Sequence, residues 1–460
     1  MGQILSQPIT EKSSEEGGDK FLAYGLSCMQ GWRISMEDSH STILNMKSVE
    51  TDAAAAADGA MGQEEDIAKQ IAYFGVFDGH GGEKVAQFTG RSIPRILKLT
   101  KAFGNKDYIK MFKDGYLATD VAILNDDELS KDPSGCAATS VIITKNEIIC
   151  GNAGDSRTVM SISGKCKPLS FDHKPTNEGE KARIVAAGGY VDLGRVNGNL
   201  ALSRGIGDFE FKNAADLPPE EQAVTAFPDV LVHDATSEDE FIILACDGIW
   251  DCLTSQQAID FVRRGIKLKQ SLTEICETMM DTCLAPTSGG SGIGCDNMSV
   301  CIVALLKGDS LERWYDKIAA KLTDEDLSQL PTPDNLSLDL YKVDLKTKQQ
   351  QQNTKSEEAA AAAASRNSSV TDYDDEEDSV LKTGATGGAP NLIQQLLAAS
   401  NISTNNDIIY LDSSASSILQ SLGVMEEDEA DADGDKKMEE ITDDDNDKSN
   451  DDDEPSEKPE

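Results

Sequence analysis

Four short runs along the chain are apolar or nearly so: IAYFGVF at 71–77, SVIIT at 140–144, FIILAC at 241–246 and SVCIVALL at 299–306. Runs this short, rich in β-branched and aromatic residues and lacking alternation, predict strands buried on both faces. Between them, apolar positions recur at helical spacing over 83–93, 107–125, 178–187, 255–265 and 271–284. Gly188 and Gly189 close the third of these, and Ser255 and Ser271 stand at N-cap positions of the last two. Residues 309–321 predict one more helix on the flank. Strands interleaved with helices make a layered domain, and no internal repeat is present.

The pattern stops near residue 345. The last 116 residues carry 29 acidic and 9 basic side chains and no Cys, Trp or Phe. They include a Gln run at 349–352, an Ala run at 359–364 and acidic blocks at 374–378, 426–429, 443–445 and 451–454. Such a segment buries too little apolar surface to offset its ordering entropy, so 345–460 is expected to be a disordered acidic regulatory tail. The rest divides into an N-terminal segment 1–20, a folded domain 21–308 and a helical extension 309–344. Within the domain, 51–70 reads as an inserted surface loop, with its Ala run and Asp58-Gly59 turn.

Charge narrows the function. The chain has 82 acidic and 42 basic residues, a net charge of −40, and residues 1–344 alone hold 53 acidic and 33 basic side chains. Binding a phosphate backbone or coating an anionic membrane calls for a basic face, so neither nucleic acid nor a membrane surface is an expected constitutive partner. No apolar run approaches the roughly 18–20 residues of a membrane span. The opening MGQILSQPIT lacks the basic patch and apolar stretch of a secretory signal, which leads to the expectation of a soluble intracellular protein. Ten cysteines are spread singly without a C-x-x-C pair and read as small buried hydrophobes, not as zinc ligands or disulfides.

The chemistry gathers where strands run out. Asp78 follows IAYFGVF and opens Asp78-Gly79-His80-Gly81-Gly82; Asp247 follows FIILAC and opens a segment ending in Asp251. Asp155 follows EIICGNAG, and Asp296 immediately precedes the run 299–306. Singly, such Asp-Gly pairs are turns. Together they are carboxylates drawn into partly desolvated places, where like charges gather only around a cation. Oxygen-only donors suit hard divalent ions such as Mg²⁺ or Mn²⁺, and four histidines in the whole chain argue against an imidazole-rich zinc or iron centre. In GWRISMEDSH, Arg33 lies near Glu37 and Asp38, either as a surface ion pair or as a phosphate fork beside a metal-binding carboxylate. His80 is a third ligand, a turn histidine or a proton donor.

Eight segments in order, GWRISMEDSH, VFDGHGG, SGCAATS, GNAGDSR, DHKP, RVNGNLALSRGIGD, LACDGIWD and GCDNMSV, resemble the motif series of the metal-dependent protein phosphatase 2C family, most like fungal members, over residues 21–306. The resemblance implies an α+β fold: a central antiparallel β-sandwich flanked by helices, with two metal ions at one end. It implies a protein serine/threonine phosphatase that hydrolyses phosphoserine and phosphothreonine with hydroxide from a dinuclear Mg²⁺ or Mn²⁺ centre. By motif position, Asp78 bridges the two ions with help from the Gly79 carbonyl. Asp247 and Asp296 complete one ion's ligands, and Glu37 completes the other's. Asp38 orients water from behind, and Asp155 with Asp251 matches a weaker third-metal position. Arg33 holds the substrate phosphate, and His80 protonates the leaving oxygen. His173 is structural at the entrance to a flap-like segment 174–197, and Ser203 and Arg204 support the site without performing chemistry. One departure is visible: Ala137 in Ser134-Gly135-Cys136-Ala137-Ala138 lacks a hydroxyl the family often has, which bears on metal affinity. A ligand-stripped scaffold is disfavoured because Glu37, Asp78, Asp247 and Asp296 are all present. A two-metal nuclease is disfavoured because the domain is acidic.

The ends carry weaker signals. Met1-Gly2-Gln3-Ile4-Leu5-Ser6 fits the acylation pattern at Gly2, and one acyl chain gives only transient membrane contact. Thr371 and Thr442 sit in acidic surroundings that acid-directed kinases favour. A phosphate on Thr371, with Asp374 third after it, fits the arginine grip of FHA-type readers found in checkpoint kinases. The competing reading is an idle threonine in a solvated strip. Phosphoprotein substrates of stress, checkpoint or cell-cycle kinase signalling are expected, for a monomer in cytoplasm and nucleus.

Overall fold

A computed structural model of the chain describes residues 4–46, 70–288 and 292–341, with the backbone of 404–405 and 408–409. Residues 51–69 of the expected loop, most of the tail, Gly2, Thr371 and Thr442 lie outside the described residues. The chain forms two units, Met1–Ser369 and Val370–Glu460; the described part of the second is the antiparallel pair Thr404–Asn405 with Ile408–Ile409.

In the first unit the strands come in chain order as β1 (Ile4–Gly18), β2 (Leu22–Arg33), β3 (Ser39–Ile43), β4 (Ala72–His80), β5 (Gly135–Ile143), β6 (Glu147–Ala153), β7 (Arg157–Ile162) and β8 (Lys165–Pro168). They continue with β9 (Val191–Asp192), β10 (Arg195–Val196), β11 (Ile206–Gly207), β12 (Asp229–Asp234), β13 (Asp239–Ala245) and β14 (Met298–Leu305). The α-helices are α1 (Lys84–Leu99), α2 (Lys101–Gly104), α3 (Tyr108–Leu124), α4 (Glu178–Ala186), α5 (Asp247–Trp250), α6 (Ser255–Lys267), α7 (Leu272–Cys283), α8 (Leu311–Ala320) and α9 (Asp324–Gln329). Residues 333–341 are also helical.

One sheet runs β1-β2-β14-β13-β7-β8 and the other β12-β6-β5-β4-β3 with β11 on β5, and the strand pairs are antiparallel. Alternate side chains of each central strand enter different layers. Phe74 and Val76 of β4 meet Ile242 and Leu244 of β13 between the sheets. Tyr73 and Phe77 face α1 and α3, while Phe241 and Ile243 face α6, α7 and α8. Burial on both faces is why these strands show no polar alternation. The result is the α+β sandwich with helices outside both sheets.

Three local features differ from the sequence reading. Segment 1–20 supplies β1, an edge strand tied to α7 by Lys12–Asp281 (2.7 Å) and Ser14–Glu277 (2.6 Å). Helix α1 runs past Pro94 to Leu99 instead of stopping near 93. A proline removes the bond to the carbonyl four residues back, and here the Gly90 carbonyl accepts from the Ser41 hydroxyl instead. Helix α6 is capped by Thr254, whose side chain forms a capping box with Gln257. Ser255 is therefore the first helical residue and accepts a bond from Arg157 (3.1 Å). At α7, Ser271 is the N-cap, boxed with Glu274.

Candidate active site and metal centre

Antiparallel pairing brings the acidic strand ends together. Strand β4 ends in Asp78-Gly79-His80, paired with Ala137, Cys136 and Gly135 of β5. Asp155 lies just beyond β6, Asp247 just beyond β13, and Asp251 one helical turn further on as the C-cap of α5. Glu37 and Asp38 lie between β2 and β3, and Asp296 lies just ahead of β14. At Gly79 a Cβ would collide with the Glu37 carbonyl oxygen, so only glycine lets the two segments approach.

Carboxylate oxygens of Asp78, Asp155 and Asp247 lie within 4.8 Å of one another, and those of Asp38 and Asp78 lie equally close to the Cys246 sulfur. Burial, then the charges of Asp247, Asp38, Asp296 and Asp155, hold the Asp78 carboxyl well above the usual range. Asp247 is raised in the same way by burial and by Asp155, Asp296 and Asp251. Burial pushes Asp38 up to about 6 against a bond from Ser299 (2.7 Å). Its Oδ1 is buried and finds no hydrogen-bond partner among the described residues. This crowding of hard oxygen donors, one of them orphaned, fits divalent cations and is unfavourable without them.

Glu37 is held by Ser35 (2.7 Å) and by the Gly82 amide (3.2 Å). Asn297 accepts from the Glu37 amide (3.0 Å) and donates to the carbonyls of Gln30 and Ser35, fastening the whole 30–37 segment. Arg33 pairs with Asp296 (2.5 Å), not with Glu37 or Asp38 as its position in the sequence suggested. The chain bends away after β2, so the partner comes from the loop just ahead of β14, 263 residues later.

His80 meets both oxygens of Asp208, at 2.8 and 2.9 Å, and Asp208 itself is buried. Burial lowers the imidazole pKa, but the Asp208 charge and hydrogen bond outweigh it and the net direction is upward. Lys174 pairs with Asp155 (2.6 Å), and Asp155 raises its pKa against burial. Asp251 is raised by burial, offset in part by Lys174. Asp208, Lys174, Asn297 and Ser299 were not singled out from the sequence. Each lies within or beside a segment already marked, GIGD, DHKP or GCDNMSV, and the spacing alone did not reveal their partners.

Next to the site, α4 and the β9–β10 hairpin pack through Ile184, Val196, Leu202, Phe211, Val224 and Ala137. Ala137 thus joins this apolar contact while standing opposite Asp78 on β5. His173 accepts from the Gly154 amide (3.2 Å) and meets Asp229 (3.2 Å), a structural placement. Glu180 binds Arg204 and Arg183 (both 2.7 Å) and Ser203 (2.7 Å).

Residues 22–292 match the sequence profile described as Protein phosphatase 2C. The chain is 55% identical over 326 residues to "Protein phosphatase 2C homolog 2" of Hypocrea jecorina, covering 71% of this chain and 72% of that protein. It is 55% identical to "Protein phosphatase 2C homolog 3" of Schizosaccharomyces pombe, over 71% and 75% of the two chains. With "Protein phosphatase 2C homolog 2" of Saccharomyces cerevisiae it shares 50%, over 70% and 67%. Among solved structures, a phosphatase from Toxoplasma gondii shares the fold, with a TM-score of 0.52 at 24% identity over 65% of this chain and 96% of that one.

Proposed function

The chain belongs to the protein phosphatase 2C family, a metal-dependent family of protein serine/threonine phosphatases, and from that premise we propose how its acidic end works. Two Mg²⁺ or Mn²⁺ ions would be held by Asp78, the Gly79 carbonyl, Glu37, Asp247 and Asp296. Asp155 and Asp251 offer a third, weaker position once Lys174 releases Asp155. When bound, such ions supply a nucleophile at the hydroxide level near neutral pH and neutralise phosphoryl charge. The observation that carries this reading is the convergence of Asp78, Asp155 and Asp247 within 4.8 Å at the sandwich end.

The chain's own residues do the rest. The Arg33 guanidinium, partly exposed and now paired with Asp296, turns its fork to two phosphate oxygens of a phosphoserine or phosphothreonine. Asp38, anchored by Ser299 and with one oxygen free, orients the attacking water. His80 donates its proton to the departing seryl or threonyl oxygen, a strong base that needs an acid. Asp208 fixes the ring and favours its protonated form. The substrates are phosphoproteins.

Hydrolysis of a phosphothreonine peptide by chelator-treated protein, before and after adding Mn²⁺, tests this. The reading requires no turnover before addition and recovery after it. Metal-independent turnover contradicts it.

A further inference from the structure

The helical residues 333–341 follow the last family motif, yet their final side chain reaches the back of the site. Tyr341 is 4% exposed and packs with Trp32, Ala285 and Cys295 in a small cluster separate from the main cores. Its hydroxyl donates to the carbonyl of Cys283, the last residue of α7, one of the orphan acceptors a helix leaves at its C-terminus. The same hydroxyl fills the space a side chain would need at Gly294, where φ is +71°. Gly294 in turn accepts from the Ala285 amide (2.9 Å), and Ala285 accepts from the Trp32 indole (2.9 Å).

These contacts converge on two functional groups. Gly294 and Cys295 lead directly into Asp296, and Trp32 leads directly into Arg33. In the β14–β2 register Met298 faces Met29, which carries Asp296 to the level of Gly31, and Arg33 meets Asp296 at 2.5 Å. The loop bearing Asp296 and the strand end bearing Arg33 therefore rest on one wedge, Tyr341. We propose that Tyr341 is a positioning residue that sets the aim of Asp296 toward the metal and of Arg33 toward the substrate phosphate. This rests on Asp296 being a metal ligand, as proposed above. A consequence is that the functional end of the enzyme extends to residue 341, where the described part of the extension stops.

Calorimetric Mn²⁺ titration and phosphopeptide kinetics on the full chain test the claim, with Tyr341→Ala, Tyr341→Phe and Tyr315→Ala compared. Tyr315 is a matched control: a buried tyrosine of α8 whose hydroxyl donates to the Gln270 carbonyl (2.8 Å). Tyr341→Ala is expected to weaken Mn²⁺ binding about tenfold, the usual scale for groups behind metal ligands, and to raise KM by a similar factor. Tyr341→Phe keeps the ring against Trp32, Ala285 and Cys295 but removes the hydroxyl that meets Cys283 and Gly294, so it should recover only part of both. Tyr315→Ala should lower the melting temperature while leaving Mn²⁺ affinity and KM unchanged. If Tyr341→Ala melts earlier but binds Mn²⁺ and peptide as the unaltered chain does, Tyr341 is structural only and the proposal is wrong. If the unaltered chain binds no Mn²⁺, the metal reading falls and the positioning claim with it.

Discussion

Asp78 sits among the charges of Asp247, Asp38, Asp296 and Asp155, and its carboxyl is held well above the usual range by burial and by those charges. A folded-state pKa above the unfolded value means that ionisation opposes folding. Without metal, the Asp78 contribution to stability should rise as pH falls from neutral, being complete below the unfolded value of 3.8. Metal-free Asp78→Asn should therefore melt above the metal-free unaltered chain at pH 7, while Mn²⁺ should stabilise only the latter strongly. Paired thermal melts with and without Mn²⁺ check both statements. His80 is shifted in the same upward direction, but there the protonated form is the charged one. Asp208 raises its pKa against burial, so the acid form persists to higher pH and activity declines as pH rises through that value. Asp208→Asn should move this alkaline limb to lower pH in a kcat profile. An unmoved limb would remove His80 from the acid role. His80→Gln should slow alkyl phosphoesters far more than p-nitrophenyl phosphate, whose leaving group needs little protonation.

Helix α4 shows how an element beside the site is held. Burial disfavours the Glu180 charge, but Arg204, Arg183 and Ser203 more than compensate, and the carboxyl falls to about 2. The contribution is present above the unfolded value of 4.5 and is lost as pH falls from there to about 2. Glu180→Gln removes the carboxylate from the half-buried Arg183 and leaves Arg204 with Asp229 as its remaining acidic partner, and should cost about 3 kcal/mol at neutral pH, measured by denaturant unfolding. The difference from the unaltered chain should shrink below pH 4. Most of the elements were legible in the sequence because they are periodic or wholly apolar. Strand β4 follows IAYFGVF and β14 follows SVCIVALL almost residue for residue. What escaped depends on distant partners. Helix α1 passes Pro94 because Ser41, from another strand, serves the freed carbonyl. Strand β1 is polar throughout Thr10 to Glu16 and exists because β2 and α7 give it bonds. The site shows the same division: Asp78 and Asp247 announce themselves at strand ends, whereas Arg33 and Asp296 become neighbours only through β2–β14 pairing.

At the scale of the whole molecule, the folded unit is held together by three apolar layers, and the site occupies one end of the central one. The extension is part of this arrangement: Trp314, Ile318 and Leu336 are buried in the layer over β13 and β14. Truncation after Leu345 should leave turnover on short phosphopeptides unchanged, since it removes none of these contacts. Truncation after Leu322 strips Leu336 and Tyr341 together and should lower both melting temperature and Mn²⁺ affinity. Comparing the two truncations by melting and by calorimetry separates tail from extension. Metal-centred catalysis by this chain depends above all on the Asp78 carboxylate. Turnover of a phosphothreonine peptide by purified, folded Asp78→Asn at saturating Mn²⁺ measures it most directly. Loss of the shared ligand should cut kcat/KM by at least about a thousandfold, ~4 kcal/mol of transition-state stabilisation. Turnover within about tenfold of the unaltered chain would contradict the metal-centred account.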